Sequence, residues 1–332
     1  MTHPLLSIII PVYNGEGFIT KCIDSIYNQG LAPDEFEVIC VDDCSTDATP
    51  RVLHELAALR PNLTVLRHNV NKRQGGGRNT GVRAAQGRYI VYIDCDDYFV
   101  PGVLPKLAAE LRKDDGLDIL MYDYCEVDGS NGSVRKACSY PLSPTRKMSG
   151  SEYMQSQPVP WEPWLYAYRR QFLVRENITF TEGVRFEDTD YVLRSTVEAA
   201  TIRFVPLVVL NRTIYAEQTT KVNNDLNKIT DLFKLSERTR QLAADTTKSD
   251  PAGGEAVMGH YRFMFRTNVT RYLWRLPAGD IVKMLRTYRP TLPQPDRMMR
   301  LCAKHPVLAA SGLIAAKPLL AVAHKIYSLR KK

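Results

Sequence analysis

Several polar runs in this chain have the composition of working groups. Asp94, Asp96 and Asp97 stand within four residues, Asp94-Cys95-Asp96-Asp97, directly after the apolar run Ile90-Val91-Tyr92-Ile93. Carboxylates that close repel one another, so a cation or water must neutralise them. Oxygen-only ligands favour a hard ion such as Mg2+ or Mn2+, usually shared with substrate phosphates. The plainer alternative is a solvated acidic turn capping the next helix. Asp42-Asp43 suits a base N–H or a ribose hydroxyl, or else a helix cap. Residues Lys72-Arg73-Gln74-Gly75-Gly76-Gly77-Arg78-Asn79 read as a glycine-rich basic loop opening a helix. Backbone N–H groups, the helix dipole and Arg78 would together suit a diphosphate there, although the spacing is not that of the GxxxxGK[ST] phosphate loop. In Phe186-Glu187-Asp188-Thr189-Asp190, one carboxylate suits a general base if the fold returns it to the same crevice. Otherwise these acids steady a helix start. Trp161, Trp164, Tyr166 and Tyr168 suit either stacking on sugar rings or a core.

These residues need elements to hold them. Residues 6–12 form an apolar run broken by Ser7 and Pro11, the pattern of a buried strand. Ile19, Cys22, Ile23, Ile26 and Tyr27 recur at helical spacing, and Gly30 stops that helix. Residues 36–41, 63–66 and 89–93 predict three further strands. A helix with Val52, Leu53, Leu56 and Leu59 on its face, capped by Ser45 or Asp47, and a short helix over 79–86 lie between them. The alternation predicts a mostly parallel sheet covered on both faces, with ligands beyond the carboxyl ends of its strands. Tyr13-Asn14, Asp42-Asp43 and the Asp94 run all fall at such ends. Further on, 119–125 predict a strand with a hairpin partner beyond a Gly/Ser turn at 129–133. The aromatic stretch 161–176 should end in a helix, 186–199 form a helix begun by acids, and 201–210 form a strand. From about 223 the pattern is helical.

The 332 residues suffice for one large core, or for one core and an appendage. Their +8 net charge is unevenly placed: residues 256–332 balance at +13, with Asp280 and Asp296 their only acids, and the first 255 at −5. The two parts therefore face different partners. Arg262, Arg266, Arg271 and Arg275 gather along one side of a predicted helix. The apolar stretches 306–316 and 319–323 are interrupted by Lys317-Pro318, too broken for a span of roughly 20 apolar residues. An interfacial amphipathic segment, or a helical bundle with a basic end, is predicted instead. No nucleic-acid module is visible, so nucleic acid is not an expected partner. Seven Cys without a CxxC pair point to reduced thiols in a cytosol, and no signal peptide is expected at the start.

Four segments in order resemble the family two glycosyltransferases of the bacterial polysaccharide-biosynthesis type. They are SIIIPVYNGEGFI at 7–19, VDDCSTDAT at 41–49, GGRNTGVRAAQGRYIVYIDCDDYF at 76–99 and WLYAYRRQFLVRENITFTEGVRFEDTDYVLR at 164–194. The resemblance implies an α/β GT-A fold over residues 1–222, a Rossmann-like, mostly parallel sheet covered by helices. Residues 1–100 would be the nucleotide-binding half and 101–222 the acceptor half. Residues 223–332 lie beyond the resemblance, and their own composition predicts a basic, mostly helical, membrane-associating extension.

Carried onto this sequence, the family pattern implies that Pro11, Tyr13 and Asp43 frame the nucleotide base and that Arg78 lies near the base or diphosphate. Asp94 and Asp96 occupy the DxD positions, with Asp96 the more direct metal ligand and Asp97 a neighbour. Asp188 matches the catalytic base of inverting members; Asp42, Glu187, Trp161 and Trp164 are secondary candidates. The implied reaction is a single displacement from a nucleotide sugar, UDP ahead of GDP or dTDP, assisted by Mn2+ or Mg2+. The implied acceptor is a saccharide hydroxyl; the basic tail adds the expectation that it is carried on a polyprenyl lipid at the anionic inner face of the cell membrane, with the protein cytoplasmic and peripheral. No QxxRW motif of processive synthases is present, so addition of one sugar is expected. Tyr215-Ala216-Glu217-Gln218-Thr219 offers neither the His nor the Arg that closes over the phosphates in many relatives, though Arg212 is near. The alternatives are a non-catalytic nucleotide-sugar-binding module of the same fold and a haloacid-dehalogenase-type phosphohydrolase. The latter's motif wants Thr or Val where Tyr98 stands.

Overall fold

The first strand, β1 (Leu6–Val12), is buried along its whole length, which its unbroken apolar character requires. It alternates with α1 (Ile19–Tyr27), β2 (Phe36–Asp42), α2 (Thr49–Ala58), β3 (Leu63–Arg67), α3 (Arg73–Ala84) and β4 (Tyr89–Tyr92). There follow β5 (Tyr98–Phe99), α4 (Val103–Arg112), β6 (Ile119–Asp128), its antiparallel hairpin partner β7 (Val134–Cys138) and α5 (Gly150–Ser156). The elements β8 (Tyr166–Arg169), α6 (Arg170–Arg175), α7 (Glu187–Glu198) and β9 (Ile202–Ile214) complete one sheet, ordered β3-β2-β1-β4-β8-β6-β9-β5 with β7 on β6. The predicted strands β3, β2, β1 and β4 run parallel, and β8 enters antiparallel between β4 and β6. This is a computed structural model, and it describes residues 3–138, 145–215, 226–288, 297–318 and 320.

Pro11 explains where the sheet opens. Pairing of β1 with β4 runs only from Leu6 to Ile9. The Ile9 carbonyl accepts from Ile93 N–H at 3.2 Å. Strand alternation therefore turns the Pro11 nitrogen to that same side, beyond the last β4 pair, where no donor is missed. β1 continues there against β2 alone, and a crevice begins on its β4 side.

The structure corrects one expectation and adds an element to another. Gly75, Gly76 and Gly77 are not a loop cradling phosphates; they are buried turns of α3. A Cβ on Gly77 would stand 3.0 Å from Pro11 Cβ, and one on Gly81 would stand 2.3 Å from Ile9 Cγ2. The glycines let α3 press onto β1, and that packing overrides their poor helix propensity. The aromatic stretch 161–176 contains not only the predicted helix, α6, but also β8, buried on both sides and so without polar alternation.

The chain divides into two compact units, Met1–Gln218 and Thr219–Lys332. The second consists, among its described residues, of helices: α8 (Leu226–Thr246), α9 (Pro251–Thr267), α10 (Ala278–Thr287), α11 (Arg297–Lys304) and α12 (Pro306–Ala315). Ile229, Phe233, Tyr261, Phe265, Val269 and Leu285 are part of its own core. The stretch that carries the predicted arginine stripe is helical but not uniform: α9 ends at Thr267, Asn268–Tyr272 is π-helical and Leu273–Arg275 is a 3-10 turn. Asn268 anchors the π segment by donating to Ser236 Oγ at 2.8 Å and to the Leu232 carbonyl at 3.2 Å. No described helix is long and apolar enough to cross a membrane. The six cysteines whose side chains are described are free thiols.

Candidate active site

Three carboxyl strand ends supply the crevice in the first unit, as the parallel order requires. Tyr13 follows β1 and is 51% exposed, an open aromatic face at the mouth. Asp43 follows β2 and is buried. Its Oδ1 accepts from the Lys72 backbone N–H at 2.8 Å and lies 2.7 Å from His68 Nδ1, while His68 Nε2 meets Thr80 Oγ1 at 2.9 Å. Asp43 Oδ2 is buried without a protein hydrogen bond. Buried acceptors are rarely left so, and an outside donor such as a base N–H would satisfy this one. Asp42 is committed locally: its Oδ1 accepts from Ser45 N–H at 3.0 Å and its Oδ2 lies 3.1 Å from Arg67 Nε.

Arg78 stands at the centre. The close seat of α3 on β1 leaves its side chain 0% exposed. Nη2 donates to Asp94 Oδ1 at 2.8 Å, Nη1 donates to Asp188 Oδ1 at 2.5 Å, and Glu187 Oε1 lies 3.6 Å from Nη1. Burial alone would disfavour the charged guanidinium, but Asp188, Asp94 and Glu187 outweigh it and hold Arg78 protonated well above its ordinary range. The residue expected near the base or diphosphate is thus the buried tie between the Asp94 run and the Asp188 cluster. The two segments meet although 94 residues separate their carboxylates in the chain.

The start of α7 is positioned by aromatic packing. Phe180 stacks on Tyr191 at 3.6 Å between centroids, and Tyr191 Oη is 2.9 Å from Tyr92 Oη of β4. Asp188 lies three residues before Tyr191, on the same helix face, so this lock also places Asp188. Its side chain is 32% exposed. Loss of water raises the Asp188 carboxyl to about 6, the pull of Arg78 opposing and Asp94 and Glu162 adding to the rise. Glu187 is 4% exposed. Burial first, and Asp188 second, push it up to about 8, so it is neutral where Asp188 is charged.

Within the acidic run the three side chains separate. Asp97 is buried, and its Oδ1 accepts from Thr213 N–H at 2.7 Å, which ties the run to β9. Asp96 remains partly open; burial and then Asp94 raise its carboxyl to about 6, against a lowering pull from Arg212. An acid so crowded is one that a cation would relieve. Among the described residues no three His, Cys, Asp or Glu side chains converge to hold a metal alone. A hard divalent ion here would therefore rest on Asp94 and Asp96 and complete its shell with phosphate and water, as Mg2+ commonly does. Arg212, on β9, points its guanidinium at the Trp164 ring, 6.0 Å from the centroid. Trp164 is buried against Tyr124, and Tyr166 and Tyr168 are buried too, so their rings belong to the core; Trp161 stays half-exposed. Of the stretch 215–219, only Tyr215 lies within the described residues. His68 and Thr80 were not foreseen; a single His after a short strand carries no motif.

The model of Glycosyl transferase family 2 matches residues 7–185. EpsJ of Bacillus subtilis, an uncharacterized glycosyltransferase, is 32% identical over 209 residues, 61% of this chain and 59% of EpsJ. The chain thus spans less than two thirds of that relative's length. The crystal structure of S. aureus TarS gives a TM-score of 0.68 at 20% identity, over 94% of this chain and 55% of that one. TarS 1-349 in complex with UDP-GlcNAc gives 0.62 at 18% identity, over 95% and 91%. The mannosyltransferase PcManGT from Pyrobaculum calidifontis, in complex with GDP-Man and Mn2+, gives 0.53 at 17% identity, over 94% and 87%. At such identities the solved structures establish the shared α/β fold. The family model covers more than half of the sequence, and this chain belongs to glycosyl transferase family 2.

Proposed function

We propose that this protein is an inverting glycosyltransferase that moves one sugar from a nucleotide diphosphate donor to a hydroxyl of a saccharide acceptor. The observation that carries the proposal is the Asp94–Arg78–Asp188 bridge, which joins a donor-side carboxylate to a candidate base through one buried guanidinium. Asp43 Oδ2 and the open face of Tyr13 receive the base of the nucleotide. Asp188 commits Oδ1 to Arg78 and keeps Oδ2 for the acceptor hydroxyl. Near neutral pH Asp188 is largely ionised and can take that proton as the acceptor oxygen bonds to the anomeric carbon and the bond to the diphosphate breaks. A divalent cation held by Asp94 and Asp96 would supply charge neutralisation at the departing diphosphate, where such help counts most. The donors bound in the structural neighbours, UDP-GlcNAc in TarS and GDP-Man in PcManGT, support a nucleotide sugar and favour neither nucleotide. Their company with Mn2+ in one case supports the metal. A non-catalytic binding module would have no need of Asp188 beside Asp94.

The acceptor we propose is lipid-linked, presented at the inner face of the cell membrane, where the protein is cytoplasmic and peripheral. Support comes from the +13 balance over residues 256–332, which suits an anionic surface. Calorimetry with UDP, with and without Mn2+, tests the donor side: binding should strengthen with the metal, and Asp96→Asn should abolish the gain. Equal binding in all four conditions would sink the metal-assisted reading. A panel of nucleotide sugars, scored by donor hydrolysis, then identifies the sugar.

A further inference from the structure

A second cavity lies at the opposite end of the sheet's central strands. It has a volume of about 480 Å³ and is lined in part by His3, Gly87, Arg88, Arg169 and Arg170, and among the described residues no carboxylate lines it. These residues sit at the amino ends of β1 and β4 and at the end of antiparallel β8, whereas Asp43 and Asp94 follow carboxyl ends. The seven residues of β1, at about 3.3 Å each, separate the two sites by roughly 20 Å. One donor molecule cannot fill both.

The backbone ladder forces the arginines together. Arg88 N–H donates to the Pro4 carbonyl at 3.0 Å, Arg170 N–H donates to the Arg88 carbonyl at 2.9 Å, and Arg169 pairs across from Tyr89. Like charges set side by side on adjoining strands are unfavourable unless something offsets them. Arg88 is offset by Asp115, whose Oδ1 lies 2.6 Å from Nη2. Arg170 is held by Nε donating to the Gly87 carbonyl at 3.1 Å, and Arg169 donates from Nη2 to Gln171 Oε1 at 3.3 Å. Neither of these two has a carboxylate partner among the described residues. The nearby Glu37 carboxylate is already used by Ser7 Oγ and by the Gln86 and Gly87 N–H groups. Two guanidiniums with unspent planar donors, a third beside them and an imidazole make a fork suited to phosphate oxygens.

We infer that this cavity is a second anion site, which binds the phosphate or diphosphate group of a ligand distinct from the sugar donor. The group comes either from a free phosphate ester or from a lipid headgroup, and the same chemistry serves both. Pyrophosphate, titrated into the full chain by calorimetry in a metal chelator, probes the free form without cation-mediated binding at the donor crevice. Vesicles of phosphatidylcholine with and without phosphatidic acid probe the headgroup. The parent should bind at least one probe saturably. Arg169→Gln/Arg170→Gln should weaken it on the order of tenfold or more, with UDP binding unchanged. Arg175→Gln, whose charge pairs with Glu176 outside the cavity, should bind as the parent does. Loss on phosphatidic acid vesicles that pyrophosphate also competes away identifies the headgroup; loss with pyrophosphate alone identifies the free anion. If the double variant unfolds, Arg169→Gln alone carries the test, because among the described residues that side chain's hydrogen bond is only to Gln171. Absence of saturable binding of either probe by the parent, or equal binding by parent and variants, overturns the inference.

Discussion

Glu187→Gln is the substitution that separates the two acids at the start of α7. Folding keeps Glu187 protonated to about pH 8, against an ordinary 4.5. Between those values the folded state holds a proton that the unfolded chain has lost, so unfolding releases it and stability falls as pH rises. The slope for one proton is about 1.4 kcal/mol per pH unit. Over the 3.5 units between 4.5 and about 8 the penalty reaches about 5 kcal/mol, absent below pH 4.5 and complete above pH 8. Glutamine matches the neutral carboxyl in shape and cannot ionise. Glu187→Gln should therefore equal the parent near pH 5 and exceed it by several kcal/mol near pH 8.5. Urea unfolding followed by fluorescence measures this; replacing Trp274 by Phe leaves Trp161 and Trp164 to report on the first unit alone. A difference between variant and parent that stays constant within about 1 kcal/mol from pH 5 to 8.5 would refute the reasoning.

Asp188→Asn should lower turnover by about 10²–10⁴-fold while UDP binding persists, and the parent's rate should fall as pH drops through about 6, because a protonated Asp188 cannot accept the acceptor's proton. Turnover with the identified donor, measured against pH, checks both; an unchanged rate in the Asn variant removes Asp188 as the base. Arg78→Lys should destabilise by about 1.5–3 kcal/mol, since one ammonium cannot span Asp94 and Asp188 and one partly buried carboxylate loses its charged hydrogen bond. Thermal or urea unfolding reads this directly, and a loss under about 1 kcal/mol would show that the bridge is not maintained in solution.

The strands that build the donor side were legible because they are buried on both faces and alternate with amphipathic helices. Each of the residues at their ends, Tyr13, Asp43 and Asp94, therefore fell where expected. What escaped was whatever depends on packing between distant segments. Three successive glycines read locally as a turn, yet they are helical, because the missing Cβ of Gly77 against Pro11, and that of Gly81 one turn on against Ile9, let α3 pack closely on β1. Once that stretch is helical, Arg78 changes meaning. On a loop it would reach for phosphates; on α3, pressed against β1, it is sealed in the core with two carboxylates 16 and 110 residues away. No local pattern encodes that pairing, since Asp94 belongs to a strand end and Asp188 to a helix start. The consequence reaches function. The two acids come from segments that otherwise move independently in the unfolded chain, and a guanidinium buried from water binds both with little screening. On the reading proposed above, with Asp188 as the base, its displacement is opposed by the same group that orients Asp94, so one side chain would set donor and acceptor geometry together.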